Sequence, residues 1–183
     1  MALNSVKLRA TLGAQPGTDF IAWDTVFVPD VPITFGTRQF LVGQTNGGLD
    51  FKLTHPANLI VRTQGSAVDQ WDGDFDANDR VLFTDIKPGP IVLFFDQPVR
   101  GIGANVLTDT NYTVRMVVFL AGGGDKPFPG KGKTQHLGAG LAPFLGALSS
   151  NPDIVRAEFH VTPPRNGSLT DLDIAINRVE LVR

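Results

Sequence analysis

Apolar residues in this chain recur at every second position, in runs too short and too often interrupted to be helices. Residues 5–12, 49–53 and 154–162 alternate in this way, and 91–95 and 112–120 are strand-length apolar stretches. Successive side chains of a strand point to opposite faces, so a period of two marks a strand with one buried face. Turn signals separate the runs: Asn46-Gly47-Gly48, Lys87-Pro88-Gly89-Pro90 and Pro163-Pro164-Arg165-Asn166-Gly167. Many short strands at roughly 8–12-residue spacing are the pattern of a sandwich or barrel. The nearest approach to a helix, 137–148, contains Gly138, Gly140, Pro143 and Gly146, which oppose a long helix. The expectation is an all-β chain, a two-sheet antiparallel β-sandwich, with residues 1–183 forming one domain. Residues 25–28 and 33–42 are expected as strands and 174–182 as one closing strand. Residues 121–140 are the least regular part.

Thirteen phenylalanines against one tyrosine suit rings that fill a core rather than line a wet face. With a net charge of −2 and few, scattered Lys and Arg, no basic face for nucleic acid is expected. The absence of cysteine excludes a disulfide framework, a thiolate zinc site and a cysteine nucleophile. No apolar run approaches the roughly 18 residues of a membrane helix. Residues 1–12 lack the apolar centre of a signal peptide, so none is expected in the chain as given.

The acids cluster at Asp69-Gln70-Trp71-Asp72-Gly73-Asp74-Phe75-Asp76-Ala77-Asn78-Asp79. Asp72, Asp74, Asp76 and Asn78 are spaced by two, as in the first half of an EF-hand loop, and hard oxygen donors at that spacing suit Ca²⁺. Ala77 stands at the usual glycine position and Phe83 at that of the bidentate glutamate, so the match is partial. The other reading of the stretch is a solvated turn, since Asp and Asn favour turn geometry. Trp71, with Asp69 and Gln70 beside it, offers a flat ring and hydrogen-bonding groups to a sugar. A tryptophan in a turn is also a common core plug.

Gly132-Lys133-Thr134 invites a phosphate-loop reading, but Pro127 occupies the position of the required glycine. A long loop, with Lys126, Lys131 and Lys133 as a basic lip, is expected instead. His55, His136 and His160 are far apart in sequence and no hydrolase motif is present, so no catalytic residue is assigned.

A longer pattern runs from Trp71-Asp72-Gly73-Asp74-Phe75 through Pro98-Val99-Arg100-Gly101-Ile102-Gly103 and Phe144-Leu145-Gly146 to Asp173-Ile174-Ala175-Ile176-Asn177-Arg178-Val179-Glu180-Leu181. It resembles bacterial exported β-sandwich domains, including those ahead of PEP-CTERM sorting tails, which are similar to galactose-binding-like jelly rolls and carbohydrate-binding modules. The resemblance implies a jelly-roll sandwich and an extracellular or cell-surface location. It also implies a structural calcium held by acids near the first and last strands, here Asp24, Asp171 and Asp173.

Three functions fit. The first is a non-catalytic binding or adhesion module that contacts a glycan or a surface polymer, with calcium as a brace. The second is a structural protein that assembles as a homo-oligomer, which near-neutral charge permits. The third is a glycan hydrolase or lyase on the same fold. Fold alone does not separate them.

Overall fold

The computed structural model describes residues 7–9, 17–35, 40–65, 73–84, 89–108, 112–132, 142–162 and 173–183. They form two antiparallel sheets packed face to face. One holds β3 (Leu41–Gln44), β4 (Asp50–Thr54), β7 (Ile91–Val99), β9 (Tyr112–Leu120), β10 (Asp125–Gly132) and β12 (Ile154–Thr162), in the order β10-β9-β12-β7-β4-β3. The other holds β1 (Lys7–Arg9), β2 (Thr18–Ile21), β5 (Ile60–Thr63), β6 (Arg80–Thr84), β8 (Gly101–Leu107), β11 (Phe144–Leu148), β13 (Ile174–Ile176) and β14 (Val179–Val182). Its main path is β1-β11-β8-β13-β6-β5; β14 follows β13 along β8 and takes β2 on its far side.

The period of two sends one face of each sheet inward. Phe51, Leu53, Ile91, Leu93, Met116, Val118 and Phe159 from the six-stranded sheet meet Leu82, Ile102, Val106, Ile174, Ile176 and Leu181 from the other in one core. Each such buried side chain stabilises by about 1.5–3 kcal/mol. An exposed ion pair such as Lys52–Asp96, at 3.2 Å, contributes about 0–1 kcal/mol. The inner faces therefore hold the sandwich. A second, smaller apolar cluster lies on the outer face of the eight-stranded sheet. There Val81, Phe83, Leu107 and Ala175 are covered by Phe75 and Ala142.

Two sequence expectations are corrected. Residues 25–28 do not form a strand: α1 (Trp23–Val26) is a single helical turn, held by Phe27 N–H to the Trp23 carbonyl at 2.8 Å and anchored by the fully buried Trp23. Nor is 121–132 a loop. Gly123 and Gly124, with φ of 87° and 88°, turn the chain into β10, which pairs with β9 along its length. Pro127 and Pro129 are tolerated because β10 is an edge strand. Within the run 33–42, Ile33 makes an isolated bridge to Leu59 and β3 opens at Leu41, while 36–39 lie outside the described residues. Among the described residues no helix is long and apolar enough to cross a membrane.

Candidate functional site: a polar pocket at a strand break

The expected closing strand is interrupted. Ile176 pairs with Val106 and Glu180 with Gly103, so four steps along one strand span three along β8. This is a one-residue bulge at Asn177-Arg178, a device that bends a strand and re-aims side chains. It also divides the sheet: β13 takes β6 as its outer neighbour, whereas β14 takes β2. α1 packs against β6, and Trp23 is wholly buried there.

Side chains satisfy the backbone that the bulge displaces. Asn177 N–H still donates to the Asn105 carbonyl at 3.3 Å. Asn105 N–H, however, donates to Asn177 Oδ1 at 2.9 Å instead of to a main-chain carbonyl. The Asn177 carbonyl accepts from Trp23 Nε1 at 2.8 Å. Asn177 Nδ2 donates to Asn105 Oδ1 and Asp79 Oδ2, at 3.1 and 3.2 Å, and Asn105 Nδ2 donates to the Ala142 carbonyl at 2.6 Å. Buried polar groups cost free energy unless they are bonded, so this network fixes the floor of the site.

Above the floor is a pocket of about 380 Å³. The segment before β6 supplies Asp76, Asn78 and Asp79, and β6 itself Arg80; the break supplies Asn177 and Arg178, and β14 Glu180; Trp23 and Asp24 come from α1, and Phe144 from β11. Asn78 takes a positive φ of 70°, which Asn tolerates better than most residues. Phe144 lies over Gly103, where a Cβ would come within 2.3 Å of Cζ. A space of about 20 Å³ adjoins it, lined by Asp74, Phe75, Asp76, Asp79, Asn105, Ala142 and Asn177.

Four carboxylates and two guanidiniums meet in the pocket. Arg80 Nε stands 3.5 Å from Asp24, and Arg178 stands 3.6 Å from Glu180 with its guanidinium 5.1 Å from the Phe20 ring. Among the described residues no histidine, serine or cysteine lines the pocket. The lining offers carboxylates, amides and guanidiniums as hydrogen-bond donors and acceptors.

The two sets of acids expected to hold calcium meet here in part. Asp24 comes from one set and Asp76 and Asn78 from the other, and all three line the pocket. Asp74 is fully buried and lines the smaller space. Asp173 lies at the far end of β13 from the break. Among the described residues no three carboxylates or imidazoles are grouped to hold a metal ion. Trp71, Asp69, Gln70, Asp72 and Asp171 lie outside the described residues.

Asn105, Arg80, Arg178 and Glu180 were not singled out by sequence reasoning. One signal was present. Ile174, Ile176, Val179 and Leu181 point inward at spacings of two, three and two, and that slip in period is the bulge.

The other histidines have separate settings. His55, in the turn after β4, shares Nδ1 with the Ala57 backbone at 3.0 Å, and burial lowers its pKa. His160 projects from the outer face of β12 with Nε2 2.8 Å from Glu158. His136 lies outside the described residues. No protein-family model matches the chain, and no curated protein matches its sequence.

Proposed function

We propose that this chain is a non-catalytic binding or adhesion module whose pocket at the strand break takes the hydroxyl groups of a glycan or surface polymer. The observation that carries the reading is the pocket's lining. Exposed Asp76 and Asn78 stand with two guanidiniums over a floor locked by the Asn105–Asn177 network. A sugar hydroxyl both donates and accepts, so mixed carboxylate, amide and guanidinium groups suit it. The volume suits a ligand of one or two rings. The resemblance to exported galactose-binding-like jelly rolls supports the same function and an extracellular location. Calcium belongs to this reading only as a structural brace, through the Asp72, Asp74, Asp76 and Asn78 set or the Asp24, Asp171 and Asp173 set.

The test is calorimetric titration with a panel of neutral and charged oligosaccharides. It is run on the wild-type chain and on the Asp76→Ala/Asn78→Ala double variant, in CaCl₂ and in EDTA. Loss of two hydrogen-bonding side chains is expected to weaken binding at least ~10-fold, about 1.4 kcal/mol. Failure of every glycan to bind, or equal affinity in the double variant, would overturn the reading. Equal affinity in CaCl₂ and EDTA would remove the calcium brace alone.

A further inference from the structure

Sheet edges offer unpaired backbone groups to other strands, and proteins cover or block them. Three edges here are handled in that way. β10 is blocked by Pro127 and Pro129, which have no N–H to offer. β5 is covered by the segment before it: Asp30 N–H donates to the Val61 carbonyl at 3.0 Å, and Ile33 bridges Leu59. β2 is covered by a turn, with Asn46 N–H on the Phe20 carbonyl at 2.8 Å. Among the described residues β3 has none of these devices. Among the described residues its backbone pairs with β4 alone. From Phe40 to Gln44 it carries no charge and no proline, and Phe40 and Val42 are 44% and 64% exposed.

We propose that β3 is a self-association edge, where a second copy of this chain pairs antiparallel about a two-fold axis through Val42 to join two six-stranded sheets into one. The occupant follows from the strand itself. An antiparallel pair centred on Val42 uses all five residues, keeps outer faces on one side, and closes as a two-fold dimer. The uncharged segment sets no like charge against its copy, and a net charge of −2 adds little long-range repulsion. Phe40 and Val42 then cover apolar surface that is otherwise wet. One strand pair buries less than the roughly 1,200 Å² of a stable interface, so the dimer is weak. This inference does not depend on the pocket reading.

Sedimentation equilibrium of the full chain tests it. The average mass is expected to rise from 19.7 kDa toward twice that value, with a dissociation constant of about 0.1 mM. Val42→Lys, on an exposed site, is expected to keep the melting temperature and weaken association at least ~10-fold, because edge lysines oppose pairing. The chain has no cysteine, so Val42→Cys gives a second readout. Next to the axis it is expected to oxidise to a dimer about 10-fold faster than Lys131→Cys on the blocked edge. A monomer throughout the concentration range, a dimer indifferent to Val42→Lys, or equal oxidation of the two cysteine variants would overturn the proposal.

Discussion

The carboxylate of Asp19 accepts from both Nε and a terminal nitrogen of Arg183, at 3.1 and 2.8 Å, while its own side chain is only 4% exposed. It also accepts from Thr45 Oγ1 at 2.5 Å and from the backbone N–H groups of Phe20 and Gly47, both at 2.7 Å. One side chain thus ties β2, the turn after β3 and the residue following β14.

Burial alone would raise the Asp19 pKa, but bonds from Thr45, Gly47, Phe20 and Arg183 outweigh it and hold the group below its ordinary value of 3.8. A depressed carboxylate contributes stability above the unfolded value and loses it as pH falls through the folded one. Asp19→Asn is expected to cost about 2 kcal/mol near neutral pH, as for bonds to a charged group. Its deficit should shrink below pH 3.8. Urea denaturation of both proteins at neutral and acidic pH measures this, and a pH-independent deficit would contradict it.

Trp23→Phe removes the indole donor from the Asn177 carbonyl and leaves that acceptor unpaired at the bulge. The expected loss is about 2 kcal/mol, from the orphaned acceptor and the smaller ring together. The denaturation midpoint should fall with little change in slope. Any glycan affinity should fall with it, because the floor of the pocket loosens.

Gly103→Ala tests the contact between β8 and β11. The added Cβ would lie 2.3 Å from Phe144 Cζ and 3.0 Å from the Leu145 carbonyl oxygen, so the ring must move. Overpacking of this kind costs about 1–3 kcal/mol. Pairing it with Phe144→Leu should recover part of the loss but not all, since the carbonyl contact remains. Full additivity of the two substitutions would show that ring and glycine are not in contact.

His160 is expected to shape stability between mildly acidic and neutral pH. Burial first, then the guanidiniums of Arg115 and Arg156, lower its pKa below the ordinary 6.5, although the Glu158 carboxylate stands 2.8 Å from Nε2. Below that value the unfolded chain takes up a proton before the folded one does, so stability falls as pH drops from 6.5 toward the folded pKa. His55, whose pKa is also lowered, adds in the same direction. In His160→Gln this part of the pH dependence should flatten, and melting curves taken at half-unit steps would show it.

Much of the sandwich is legible in the sequence because its strands obey the period of two. Leu53, Leu93 and Phe159 point inward for that reason alone. The misreadings have local causes. Val26 and Phe27 have strand-like side chains, yet burial of Trp23 drew 23–26 into a helical turn. Gly122-Gly123-Gly124 reads as loop material, but three glycines also make a hairpin turn. The pocket was half legible. Asp24, Asp76 and Asn78 were selected as calcium donors, and they share one lining because the chain brings α1 beside β6. Asn105 escaped notice because its role depends on standing opposite Asn177, a distance of 72 residues along the chain.

Arg178 is the extra residue of the bulge, and that gives the pocket an unusual dependence on chain length. Removing this one residue would bring Ile174, Ile176, Val179 and Leu181 onto a single unbroken alternation, with β13 and β14 fused along β8. The division that admits Trp23 and aims Asn177 would then have no cause. A single-codon deletion, rather than any substitution of a lining residue, is the shortest genetic step between a sandwich with this pocket and one with a plain closed sheet.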